Sequence, residues 1–158
     1  MIASLRCMTD YPPARDAGQR KRDALRRLET DEDAWVSSAS GEGPPHLVPL
    51  SFVWHDEQLW MATKAKNPTA RNLRAQGACW VALDLTRDVV LIESTAEVIA
   101  SDGLPDGAGE AFAKKLGWDP RGRETWVFLA FRPRRMLVWR EENELAGREL
   151  MRDGVWRV

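Results

Sequence analysis

The chain has 158 residues, 44% of them hydrophobic and 30% charged, which suits one domain with a real core. Its formal net charge of -1 leaves no global basic field for nucleic acid. No apolar run nears the roughly 20 residues that span a bilayer. The opening Met1-Ile2-Ala3-Ser4-Leu5-Arg6-Cys7 lacks the apolar stretch of a signal peptide. A cytoplasmic protein with no membrane and no nucleic-acid partner is therefore expected.

Residues 1–14 read as a loose arm broken at Tyr11-Pro12-Pro13. Residues 15–29 read as a helix whose narrow stripe of Ala17, Ala24, Leu25 and Leu28 marks it for a surface. From Ala34 the pattern turns to strands. Residues 34–38 form the first, and Ser40 to Pro45 is a turn cluster. His46 to Trp54 is the second, with Val48, Leu50, Phe52 and Trp54 on one face. Pro49 inside it signals a sheet edge or a bulge, since proline cannot donate to the ladder. The chain turns at 55–58 and returns over Leu59 to Thr63, an antiparallel hairpin.

Asn67 and Pro68 then have the types suited to an N-cap and a first helical position, with a short helix expected to about Gln76 and ended by Gly77. Strands follow at Cys79 to Leu85 and Val89 to Ala100. A loop over 103–107 leads to a helix from Ala108 to Leu116, stopped by Gly117. Two last strands, 125–131 and 136–140, are expected on either side of Arg132-Pro133-Arg134-Arg135, before a tail from Glu141 to Val158. Six or seven antiparallel strands with short helices indicate a closed or nearly closed barrel, mainly β.

The segment Thr63 to Asn72 carries the strongest chemical signal. A hydroxyl and two lysines, Lys64 and Lys66, precede a helix start, and Thr69 and Arg71 lie in its first turns. Helix N-termini expose unpaired N–H groups and positive potential, which with added cations suits a phosphate. A solvated basic turn is the competing reading of the same residues. Cys7 and Cys79 have no Cys or His at metal spacing, and His46 and His55 cannot build a multi-histidine centre, so no metal is expected. Cys79 reads as a small core residue.

The order of blocks is "Pro-His-Leu-Val-Pro-Leu-Ser-Phe-Val-Trp", "Leu-Trp-Met-Ala-Thr", "Thr-Ala-Arg-Asn-Leu-Arg", then "Val-Ala-Leu-Asp" at 81–84, "Ile-Glu-Ser-Thr-Ala-Glu-Val" at 92–98 and "Phe-Arg-Pro-Arg-Arg-Met-Leu-Val-Trp-Arg" at 131–140. Over about 34–140 it resembles the pyridoxamine 5′-phosphate oxidase-related family of flavin and deazaflavin split barrels. The resemblance implies a six-stranded antiparallel split β-barrel that pairs as a homodimer, with FMN or F420 in a groove at the interface. It implies that Thr63, Lys64, Thr69 and Arg71 hold the cofactor phosphate. It also implies that Asn72 orders the helix start or touches the ring edge, and that Val48, Pro49 and Leu50 offer backbone to the ring. Trp139 and Arg140 match a block near the interface. Many relatives carry a basic residue where this chain has Thr69.

The implied activity is an oxidoreductase that moves a hydride or electron pair to or from a small organic substrate. Such chemistry asks the protein mainly to orient the cofactor. The alternatives are a non-catalytic flavin-binding or storage protein and a haem-binding relative on the same barrel. Among eight tryptophans, Trp54 and Trp60 are the best stacking candidates, with packing the commoner role. His46 keeps a small claim on substrate. The arginines around Pro133 form a basic turn open to a polyanion or to solvent.

Overall fold

The structure is a computed structural model that describes residues 11–158. The expected arm therefore lies mostly outside the described residues, as does Cys7. Asp16 starts the first helix, α1 (Ala17–Thr30), by accepting a hydrogen bond from the Gln19 N–H at 2.7 Å. Ala24 and Leu28 of the expected stripe are fully buried, but Arg20, Asp23 and Arg27 are buried beside them. The helix is thus held to the barrel by charge as much as by apolar contact.

The strands are β1 (Asp33–Ser38), β2 (His46–His55), β3 (Gln58–Lys64), β4 (Ala78–Leu83), β5 (Val89–Ile99), β6 (Trp126–Trp139), β7 (Glu149–Arg152) and β8 (Val155–Trp156). Between them lie α2 (Pro68–Ala75) and α3 (Ala108–Leu116). Every pairing is antiparallel. The order β3-β2-β1-β4-β5-β6 closes on itself through β3–β6, giving the six-stranded barrel, and β7 and β8 continue the sheet beyond β6. Asp56 and Glu57, both at positive φ, make the two-residue turn between β2 and β3.

β2 explains its proline. Its first half, 46–51, pairs with β1 alone, and its pairing with β3 begins at Phe52. Pro49 therefore sits on a free edge, where a missing N–H is tolerated. β3 is buried on both faces because α3 covers its outer side. Met61 and Leu59 face the barrel interior, while Trp60 and Ala62 pack with Phe112 and Phe128. T-shaped contacts of Phe112 with Trp118 and Phe128, at 5.4 and 5.5 Å, fill that outer layer.

Three expectations need correction. The two last strands are one, β6, fourteen residues long. Pro133 and its arginines did not end it, because a bulge absorbs the extra residue: Glu93 pairs with Arg135 and Ser94 with Pro133, leaving Arg134 unpaired. The strand after Gly77 stops at Leu83, and Leu85 is exposed. The tail is a folded hairpin, β7–β8, preceded by one 3₁₀ turn at Glu142–Glu144.

Candidate functional site

Thr63 and Lys64 end β3, opposite Val127 and Trp126 of β6. The chain then turns, with the Asn67 N–H donating to the Lys64 carbonyl at 2.9 Å, and α2 begins at Pro68. Asn67 occupies the N-cap position but its side chain does not cap. Its amide instead donates to the Thr63 hydroxyl at 2.9 Å. The first turn of α2 thus keeps its N–H groups without a side-chain acceptor.

Of the residues expected to hold a phosphate, Lys64 and Arg71 are exposed, whereas Thr63 and Thr69 are buried. Thr69 shares the barrel-facing side of α2 with Ala70 and Leu73. Lys66 is exposed too, and among the described residues Lys64, Lys66 and Arg71 form no ion pair. Arg74 is committed elsewhere, donating to the Ala65 carbonyl at 2.8 Å. Asn72 is half-buried and donates to Ser38 Oγ at 3.3 Å, tying α2 to the end of β1.

Val48 and Leu50 are half-buried on the barrel side of β2, opposite Val36 and Ala34, and Pro49 is exposed opposite Trp35. α2 packs chiefly on β5, and also on β1, β2 and β3. Pro49 also opens an apolar row on the outer wall. Pro49, Trp35, Ala82, Leu91 and Leu137 stand in register on five adjacent strands. Trp35 is 42% exposed and neighbouring Leu47 60%.

The two stacking candidates part company. Trp54 points to the main core, while Trp60 is 3% exposed in the layer under α3 and donates its indole N–H to the His55 carbonyl. Trp60 is a packing residue. His46 and His55 are half-buried at opposite ends of β2. Arg140 is held by Asp88 and Asp23, and the Arg148 guanidinium lies over the Trp139 ring at 5.3 Å.

A buried charge cluster escaped sequence reasoning. Arg15 grips Glu144 with Nε and Nη2 at 3.0 and 2.8 Å, and its Nη1 reaches Asp23 at 2.8 Å. The backbone N–H groups of Arg15 and Arg140 donate to the same Glu144 carboxylate. These bonds, the Arg15 guanidinium first, hold the Glu144 carboxyl down at about 2. The i, i+3, i+7 spacing of Arg20, Asp23 and Arg27 on α1 was the available signal.

Residues 22–140 match the family model for pyridoxamine 5′-phosphate oxidase. The chain belongs to this family. No curated protein sequence matches it. Solved structures with the pyridoxamine 5′-phosphate oxidase-like fold include an F420 reductase (TM-score 0.55, 19% identity, covering 70% of this chain and 93% of the other). A FAD-binding protein from Mesorhizobium loti aligns with TM-score 0.54 and 18% identity over 73% of this chain and 90% of the other. The haem storage protein HutZ from Vibrio cholerae aligns with TM-score 0.61 and 12% identity over 75% and 93%. At these identities the likeness is one of fold. Among the described residues no helix is long and apolar enough to cross a membrane, and no group of three or more His, Cys, Asp or Glu could hold a metal.

Proposed function

We propose that the chain binds FMN or F420 and serves as a cytoplasmic oxidoreductase for a small organic substrate. The observation that carries this reading is the open start of α2, where uncapped N–H groups are flanked in sequence by the exposed Lys64, Lys66 and Arg71, which form no ion pair among the described residues. A phosphate dianion fits such a place without displacing any existing ion pair. Lys64 and Arg71 would hold it, and Thr63 would act through Asn67, fixing the turn. Thr69 would shape the helix face behind the site. Asn72, anchored on Ser38, would keep α2 in register with the free edge of β2, along which Val48, Pro49 and Leu50 offer backbone groups to a ring.

When bound, the flavin or deazaflavin supplies the hydride or electron-pair chemistry. The protein binds and orients it. We further propose a homodimer built on the outer row from Pro49 to Leu137. Exposed Trp35 and Leu47 support it, since large apolar patches on soluble proteins mark contact surfaces. The row ends at the same β2 edge as the cofactor site, so a second copy would cover the ring.

Haem binding is the second reading, favoured by the likeness in fold to HutZ. His46 and His55 would be its only histidine ligands. Parallel titrations of the purified protein with FMN, F420 and haemin, read by fluorescence and absorption, separate the readings. Tight FMN or F420 binding with reductant-dependent turnover supports the oxidoreductase. Binding with no turnover across a substrate screen supports a non-catalytic carrier. A Soret band on haemin addition, with weak flavin binding, would replace both.

A further inference from the structure

The proposed phosphate cradle has an aromatic neighbour on the outer face of the barrel. In the β3–β6 ladder Lys64 stands opposite Trp126, which places their Cβ atoms on one face, roughly 5 Å apart. The Ala65 N–H donates to the Thr125 carbonyl at 2.9 Å and ties the turn before α2 to the loop before β6. Trp126 is half-buried, and its ring meets Trp118 at 5.0 Å in a T-shaped pair. Beside Trp126 opens a cleft of about 410 Å³, lined by residues 100–102, which follow β5, and by 122–124 of the loop. β6 lies between β3 and β5, so Lys64, Trp126 and the 100–102 wall of the cleft follow one another across the outer face.

The cleft joins an aromatic wall to polar groups with room for a ligand. Arg123, Asp102 and Glu124 are exposed, and among the described residues none of them forms an ion pair. Two carboxylates thus stand against one guanidinium. A ligand that continues from the phosphate past Lys64 meets Trp126 first and these groups next. FMN ends at its phosphate and does not reach them. F420 continues into a tail of carboxylates, which the excess of acid disfavours. FAD continues into a second phosphate, a ribose and adenine. Adenine is flat and uncharged, stacks on an indole, and has an amino group that donates to a carboxylate. Two strand spacings separate β3 from β5, roughly 10 Å, a length that the second phosphate and the ribose cover.

We propose that this cleft receives the adenine of FAD. Trp126 would be its stacking platform, Asp102 or Glu124 would accept from the adenine amino group, and Arg123 would meet the second phosphate. The proposal rests on the cradle at the start of α2 and deepens it, since the flavin of this chain is then the dinucleotide. The flavin ring would still run along β2, on the other flank of β3.

Titration calorimetry of the full-length apo-protein with FAD, FMN and F420 tests it. FAD should bind at least about tenfold more tightly than FMN, a difference of about 1.4 kcal/mol, and more tightly than F420. Trp126→Leu should bring FAD down to the affinity of FMN and leave FMN unchanged, and Trp126→Phe should keep most of the preference. Arg123→Ala changes an exposed side chain without an ion pair, so it should fold as the wild type does and lower the preference about threefold or more. Equal binding of FMN and FAD would overturn the adenine site and leave the cradle standing. So would a preference for FAD that survives in Arg123→Ala or in a folded Trp126→Leu, or an equal loss of both flavins in Trp126→Leu. Tighter binding of F420 than of FAD would give the cleft to the acidic tail instead. Failure of all three to bind would remove the cradle and this site together.

Discussion

The Asn67 side-chain amide donates to the hydroxyl of Thr63 and leaves the first turn of α2 uncapped. An asparagine at a helix start usually accepts from the turn it precedes. Here it braces the end of β3, and Lys64 and Lys66 lie in the segment just before the uncapped turn. The proposed cradle depends on that exchange.

Replacing Lys64 and Arg71 together by Ala should weaken FMN or F420 binding by about 1.5–3 kcal/mol, roughly ten- to a hundredfold in Kd. Both side chains are exposed and have no ion-pair partner among the described residues, so the far-UV circular dichroism and the melting temperature should hold. Unchanged affinity in a folded double variant would remove the phosphate site.

The Glu144 cluster predicts acid sensitivity with a defined sign. Its carboxyl sits at about 2 when folded, against an ordinary 4.5. A folded value below the unfolded one adds stability that is full above about 4.5 and is lost as the pH falls toward about 2. Glu144→Gln leaves Arg15 buried with half its partners and should cost about 3–5 kcal/mol at neutral pH. Urea unfolding at pH 7, 4 and 3 should show the gap between wild type and variant shrinking with acid. A constant gap would show that the Arg15 contact is not charge-dependent.

Gly77 links α2 to β4, and a Cβ there would lie 2.7 Å from the Ala96 carbonyl oxygen. That oxygen is backbone and cannot swing aside. Gly77→Ala should therefore destabilise by about 1–3 kcal/mol, read as a lower urea midpoint with an unchanged m-value. A neutral result would mean that β5 can shift away from β4 at Ala96.

Cys79 should be inert in the native protein. Burial pushes its thiol up to about 12, and its Sγ donates to the Ser94 carbonyl. In a Cys7→Ser background, a thiol reagent should label Cys79 only on addition of denaturant. Stoichiometric labelling of the native form would place the thiol at an open edge.

Trp35 gives the test of self-association. Trp35→Asp puts a charge in the middle of the outer row without touching the core. Sedimentation should then report a monomer where the wild type sediments as a dimer. Identical sedimentation of the two would dismiss the row as an interface.

Much of the barrel was legible because its signals are local. Alternation in 46–54 and 89–100 marks strands buried on one face, and Gly117, in the left-handed region, stops α3 where expected. Pro49 read as an edge or a bulge, the places that tolerate a proline in a sheet, and it is on an edge. The misreadings have one cause: they turn on partners distant in sequence. Pro133 read as a strand break, but β5 supplies a bulge that keeps β6 whole. Trp60 read as a stacking candidate, but α3, some fifty residues later, covers it. Arg15 and Glu144 are 129 residues apart, and no local pattern pairs them. At the candidate site, Lys64 and Arg71 are exposed, as charged side chains usually are. The burial of Thr69 follows from which face of α2 meets the barrel, and that is fixed by packing.

The closing of the barrel by β6 also governs when the protein can fold. β6 pairs with β3, β5 and β7, and its partners in β3 precede it by more than sixty residues. A nascent chain that has emerged only as far as α3 holds two strands, β3 and β5, that each lack their β6 partner. Contacts this far apart in sequence form slowly and only once the last strand arrives. Synthesis on the ribosome should therefore leave β3 and β5 in need of a holding chaperone until Trp139 clears the exit tunnel.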